Sequence, residues 1–169
     1  MEENEIGREM HVLAKQLFPI CRSITGNGVR ETLQILGEHI PLNIYEIPTG
    51  TEVFDWTIPE EWNIRDAYIL DEDDNKIVDF KQNNLHVVGY SEPMDAVIPL
   101  AELQKHLWSL EDQPEAIPYV TSYYERRWGF CMAHNERVKL KEGNYRVFID
   151  SELKEGHLTY AECIFPGRE

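Results

Sequence analysis

The stretch Pro118–Cys131, PYVTSYYERRWGFC, constrains the fold more than any other part of the chain. In fourteen residues it holds three Tyr, one Trp, one Phe, two Arg and one Glu, and it ends on a Cys. Neither secondary-structure period accommodates that mixture. A buried strand does not carry Glu125, Arg126 and Arg127 in succession. A solvated loop does not carry Tyr119, Tyr123, Tyr124, Trp128 and Phe130. Gly129, between two aromatics, points to a tight bend or a close approach of backbone. Aromatic and Arg side chains together favour flat stacking and bidentate carboxylate contacts. The segment therefore reads either as one wall of a binding cleft or as a seam in which Arg stems and rings close a core.

The rest of the chain supplies elements for that segment to lie on. Ile6, Met10, Leu13 and Leu17 form one apolar stripe of a helix that ends near Phe18–Pro19. Val29, Leu33, Leu36 and Ile40 repeat the spacing, with Asn27 or Gly28 as cap and Pro41 as terminator. The two helices read as a hairpin joined by the linker ICRSITGNG. Its hydroxyls suit the capping of backbone donors better than an anion site, because the spacing is not that of a phosphate loop. From Leu42 onward short β-like runs take over. AYIL and KIVDF flank the turn DEDDN and predict a hairpin, and LHVVGY predicts a further strand. Residues 51–98 are thus expected to form a small β-rich unit with Trp56, Ile64, Tyr68, Ile69, Ile77 and Val87 in its core. PLAELQKHLWSL, 99–110, predicts a helix burying Leu100, Leu103, Leu107 and Leu110. YRVFIDSEL and HLTYAECIF predict two strands of an antiparallel hairpin turning at Lys154–Gly156. Tyr145, Val147 and Ile149 then line one face by strict alternation.

Charge and cysteine content narrow the partners. Net charge is -15 at pH 7, so nucleic acid and anionic membrane are not expected partners. No apolar run approaches the ~18 residues of a membrane span. Cys21, Cys131 and Cys163 show neither disulfide nor metal-ligand spacing, and the acidic start MEENEIGREM is no leader. A cytoplasmic protein with reduced thiols is expected.

Few side chains form a chemical constellation. The six His are scattered, and none pairs at the i, i+4 spacing of a zinc helix. Cys131 and His134 lie close in sequence, but a thiol nucleophile needs an imidazole oriented by a third group. A buried, inert Cys131 is the simpler reading. No catalytic residue and no metal ligand is assigned. Tyr123, Tyr124, Arg126, Arg127 and Trp128 are the candidate substrate-binding residues, on the chemistry of rings and guanidinium groups.

SYYERRWGFC and IDSELKEGHLTYAE, with LFPICRSITGNGVRETL, VFDWTIPEEWNI and VVGYSEP upstream, resemble the aminopeptidase-like family found in bacterial polysaccharide-biosynthesis and flagellar-modification loci. The resemblance runs over nearly the whole chain. It implies an αβα zinc-exopeptidase core carrying an inserted β-rich domain. The expected class is α+β: residues 1–50 and 99–169 belong to a partial core, with its helical hairpin and β-hairpin, and 51–98 to the insertion. The family's metal ligands begin with a His-x-Cys-His-Pro-type motif downstream of IFPGRE. The chain is accordingly expected to be the N-terminal, non-catalytic part of such a hydrolase. Zinc and a peptide or amide-bearing small substrate belong to the complete protein. The alternative is a stand-alone binding or assembly module. The strands at 145–152 and 157–164 would leave an open apolar edge, from which a homo-oligomer is expected.

Overall fold

The computed structural model describes residues 3–167, a mixed arrangement of four helices and several small sheets, in keeping with the α+β class. The chain divides into two compact units. One comprises Met1–Asn63 and Lys154–Glu169, the other Ile64–Leu153. These divisions fall elsewhere than the boundaries expected after residues 50 and 98.

The first unit contains α1 (Glu3–Leu17) and α2 (Asn27–Gly37). It also holds β1 (Asn43–Pro48), the two-residue strands β2 (Glu52–Val53) and β3 (Trp56–Thr57), and β10 (His157–Glu162). α1 follows its apolar stripe and stops two residues before Pro19. Much of the stripe stays in solvent, with Ile6 43% and Met10 67% exposed. α2 begins and ends earlier than the capping residues suggested. Its N-cap is Gly26, at φ 92°, and no side chain caps it. A Cβ at Gly26 would lie 2.2 Å from the Trp62 carbonyl oxygen, and one at Gly28 2.1 Å from that of Cys21. The linker before α2 is therefore pressed against backbone, and only glycine fits. Its polar groups serve local donors: the Trp62 N–H donates to the Thr25 hydroxyl at 3.0 Å, and the Asn27 N–H to Asn63 Oδ1 at 2.7 Å. α2 ends at Gly37, so Ile40 lies outside it; the Glu38 N–H donates to the Ile35 carbonyl at 3.2 Å and the His39 N–H to the Leu36 carbonyl at 3.0 Å, closing the last turn.

Glu61 ties this unit together. It is 6% exposed, and Arg30 donates to both of its carboxylate oxygens, Nη1 at 3.0 Å and Nη2 at 2.5 Å. Asn63 and the His157 N–H donate to the same carboxylate. These bonds, Arg30 first, outweigh the effect of burial and hold the carboxyl down to about 2.

The second unit is built on the sheet β5–β4–β9–β6: β4 is Glu61–Leu70, β5 Lys76–Asp79, β6 Met94–Pro99 and β9 Asn144–Lys154. AYIL and KIVDF pair as expected, with Tyr68 opposite Asp79 and Ile69 opposite Val78. Asp71 closes their turn by accepting the Asp73 and Asn75 N–H groups. β6 aligns antiparallel with β9, Met94 opposite Ile149 and Pro99 opposite Asn144. Tyr145, Val147, Ile149 and Ser151 are all buried on one face of β9, as alternation requires. The buried cluster includes Ile69, Val78, Leu103, Phe130, Val147 and Ile149, and all its members fall between Ala67 and Ile149.

Three expectations fail for stated reasons. β9 and β10 do not form a hairpin. Glu155–Gly156 is a bend rather than a reversal, because Gly156 exchanges bonds with Thr49: its carbonyl accepts the Thr49 N–H at 2.9 Å, and its N–H donates to the Thr49 hydroxyl at 3.1 Å. β9 goes to β4 and β6, while β10 pairs antiparallel with β1, Tyr45 opposite Tyr160. An open edge at 145–152 is thereby lost. LHVVGY is not a strand but a 3-10 turn, Asn84–His86, followed by isolated bridges from Val87 and Gly89. PLAELQKHLWSL gives one turn of helix, α3 (Leu100–Leu103), then a 3-10 turn and the strand β7 (Leu107–Trp108). β7 pairs in parallel with β8 (Phe130–Cys131), just before α4 (His134–Arg137). Leu100, Leu103 and Leu107 are still buried, so the spacing identified the core and not the helix.

Candidate functional site

The segment 118–129 has almost no regular structure and is fixed by a second irregular segment, 88–92, both within the second unit. Four backbone bonds lace the two together: Val88 N–H to the Gly129 carbonyl at 3.0 Å, Gly89 to Val120 at 2.9 Å, Ser122 to Gly89 at 2.9 Å, and Glu92 to Arg127 at 3.0 Å. Ser91 is a buried hub. Its hydroxyl donates to the Val88 carbonyl at 2.6 Å and accepts the Gly129 N–H at 3.2 Å. Its own carbonyl accepts the Ser151 hydroxyl of β9 at 2.7 Å. The irregular segments are thus bonded to the central sheet. Tyr90, at φ 67°, adopts a left-handed backbone that costs a bulky residue on the order of 1 kcal/mol or more. Its ring lies edge-on to Tyr123, centroids 5.1 Å apart.

The five candidate residues separate into two groups. Arg127 and Trp128 turn inward. Arg127 donates to the Ser122 hydroxyl and the Thr121 carbonyl, each at 2.9 Å, and its guanidinium lies 5.3 Å from the Trp108 ring centroid. Trp128 stacks on His106 at 3.8 Å with planes 9° apart and meets Phe130 edge-on. Gly129 permits this packing, since a Cβ there would lie 2.2 Å from Trp108 Cζ3 and 2.8 Å from the His106 carbonyl oxygen. These two side chains hold the segment in shape. Tyr124 and Arg126 are exposed, while Tyr123 is half-buried against Tyr90. Tyr124 is 81% exposed, and Tyr119, absent from the expected set, is 69% exposed with its hydroxyl 3.3 Å from that of Tyr123. The Arg126 guanidinium faces Glu92 at 3.9 Å, longer than a close ion pair. Tyr90, Ser91 and Ser122 were not singled out from sequence. A left-handed Tyr leaves no sequence signal, and a Ser hub is indistinguishable from a loop Ser.

Cys131 is fully buried, and burial pushes its thiol up to about 12. His134 Nδ1 lies 3.0 Å from the Ser109 hydroxyl. Asp150 pairs with Arg65 on the sheet surface. Among the described residues, no three His, Cys, Asp or Glu side chains gather in a way that could hold a metal ion, and no helix is long and apolar enough to cross a membrane.

Comparison with known proteins places this geometry in context. A family model described as "Domain of unknown function (DUF2172)" matches residues 61–152. The chain is 49% identical over 164 residues to a Clostridium acetobutylicum protein named "Putative polysaccharide biosynthesis protein with aminopeptidase-like domain". The match takes in 97% of this chain and 38% of that protein. A crystal structure of a "putative peptidase" from the same organism superimposes with a TM-score of 0.89 at 50% identity, over 93% of this chain and 37% of that one. The chain therefore spans well under half the length of these relatives.

Proposed function

This chain belongs to the DUF2172 family, and on that premise we propose that it is the N-terminal, non-catalytic part of an aminopeptidase-like zinc hydrolase. The observation that carries the reading is the 49% identity to a protein named for an aminopeptidase-like domain, over a chain whose described residues gather no metal-donor set. The residues present do not fit a catalytic zinc ion, which needs about three protein ligands and a water. No step through zinc is assigned to them. The complete protein would hydrolyse a peptide or a related amide. This chain would contribute recognition, through the fixed segment 118–129 and its outward Tyr and Arg side chains. A rigid surface binds with less ordering cost than a mobile one, and the bonds to Ser91, Ser122 and Arg127 supply that rigidity.

A second reading, an assembly module, draws support from the exposed stripe of α1 and from the open edges of the β1–β10 ribbon. Hydrolysis of aminoacyl p-nitroanilides separates the two. The hydrolase reading expects turnover by the longer Clostridium acetobutylicum relative and none by this chain alone. No turnover by either would remove the support for a hydrolase.

A further inference from the structure

We propose that the outer face of residues 119–126 binds carbohydrate, with a pyranose ring lying against the tyrosine rings and its hydroxyls bonded to the phenols. The proposal rests on the recognition role given above to this face and names its ligand class, a glycan rather than a bare peptide; it does not depend on which bond the complete protein cleaves.

Three properties of the face select this ligand class. The first is its shape. Tyr119 and Tyr124 protrude, 69% and 81% exposed, so the ligand lies on them and does not enter a pocket. Small-molecule sites are usually concave and bury most of the ligand. An open face suits one unit of a longer chain. The second is its polarity. The Tyr119 and Tyr123 hydroxyls sit 3.3 Å apart, and each can both donate and accept. Neighbouring hydroxyls of a sugar present the same dual character at a similar separation. A pyranose also has an apolar C–H face, which a tyrosine ring covers at low entropic cost because it has only two side-chain torsions. The third is its backbone. A bound peptide commonly adds to an open strand edge or lays an apolar helix face into a groove. Here residues 118–129 form no helix and no strand beyond an isolated bridge from Thr121 to Gly89, so they offer neither a regular strand edge nor a helix groove. Nucleic acid would also stack on exposed rings, but a chain of net charge -15 repels a phosphate backbone. Glu92 facing Arg126 likewise offsets the local positive charge, which favours a neutral or weakly charged glycan over a strongly anionic one.

The face is also presented in a fixed form. Arg127, Ser91 and Ser122 anchor the segment from behind, and the backbone is strained at Tyr90, whose ring lies edge-on to Tyr123. Strain of that kind persists where the surroundings over-determine it, and it concentrates at binding sites.

The test is retention of the whole chain on a bacterial glycan array, followed by titration calorimetry with a retained glycan. The expected result is selective retention that weakens about tenfold or more in Tyr124→Ala, the scale of losing one aromatic anchor. Tyr119→Phe and Tyr123→Phe keep the rings and delete the hydroxyls, and each should weaken binding about threefold or more, the scale of one net hydrogen bond. Far-UV circular dichroism and the thermal midpoint should stay at wild-type values in the two exposed-site variants, Tyr124→Ala and Tyr119→Phe. Absence of any retained glycan overturns the proposal, as does retention that Tyr124→Ala and Tyr119→Phe leave unchanged. Capture of peptides on a peptide array, lost in the same variants, overturns the carbohydrate assignment in favour of a peptide.

Discussion

Replacing Glu61 with Gln is the sharpest perturbation of the first unit. The substitution keeps the shape of the side chain and removes its charge, leaving the Arg30 guanidinium without its carboxylate. Glu61 is nearly fully buried, and its carboxyl falls from an ordinary 4.5 to about 2. A depressed carboxyl pKa contributes stability that is fully present above the unfolded value and is lost as pH falls through the folded value. The shift corresponds to about 3 kcal/mol at pH 7, at 1.36 kcal/mol for each unit. Glu61→Gln should therefore cost on the order of 3 kcal/mol at pH 7. Breaking a buried pair by removing one partner is of similar size. Between pH 4.5 and 2 the wild type should lose this advantage, and the two proteins should converge. Urea unfolding followed by far-UV circular dichroism at pH 7, 4 and 2.5 measures both effects. A wild-type advantage of unchanged size at pH 2.5 would mean that the carboxylate is not its source.

Other perturbations give equally definite outcomes. Gly129→Ala puts a methyl 2.2 Å from the Trp108 ring, so Trp108 or the 118–129 segment must shift; a loss of about 1–3 kcal/mol in urea unfolding is expected. Arg127→Ala removes the donors to Ser122 and Thr121; amide exchange over 119–128 should quicken while the β4–β9 strands keep their protection. The exposed stripe of α1 predicts self-association at high concentration, which Met10→Lys should reverse, as read by light scattering on a sizing column. An unchanged mass for both proteins from low to high micromolar concentration would contradict it.

What sequence could and could not reveal follows from the range of the interactions involved. The alternation Tyr145, Val147, Ile149 and the hairpin closed by Asp71 are local, and both were legible. The buried Leu100, Leu103 and Leu107 were legible as core but not as one helix plus a strand, since Leu spacing does not record the pull of Phe130 on Leu107. The β10 pairing with β1 was hidden because strand patterns carry no partner, and the bend at Gly156 imitates a hairpin turn. Glu60 and Glu61 are adjacent and alike in sequence; only the fold shows that Glu61 receives Arg30. For the candidate site, the composition of 118–131 located the segment. It could not sort Arg127 and Trp128, which anchor it, from Tyr124 and Arg126, which face outward. Side-chain direction in an irregular segment is set by contacts distant in sequence, here from Ser91 and His106.

The zinc content of this chain, purified beside the longer Clostridium acetobutylicum relative under the same conditions, decides whether these residues hold a metal. Elemental analysis after exhaustive dialysis should give about one equivalent or more in the relative, as a catalytic site requires, and close to none in this chain. Tight, stoichiometric zinc on this chain would contradict the account, because it would place the metal among residues that gather no donor set.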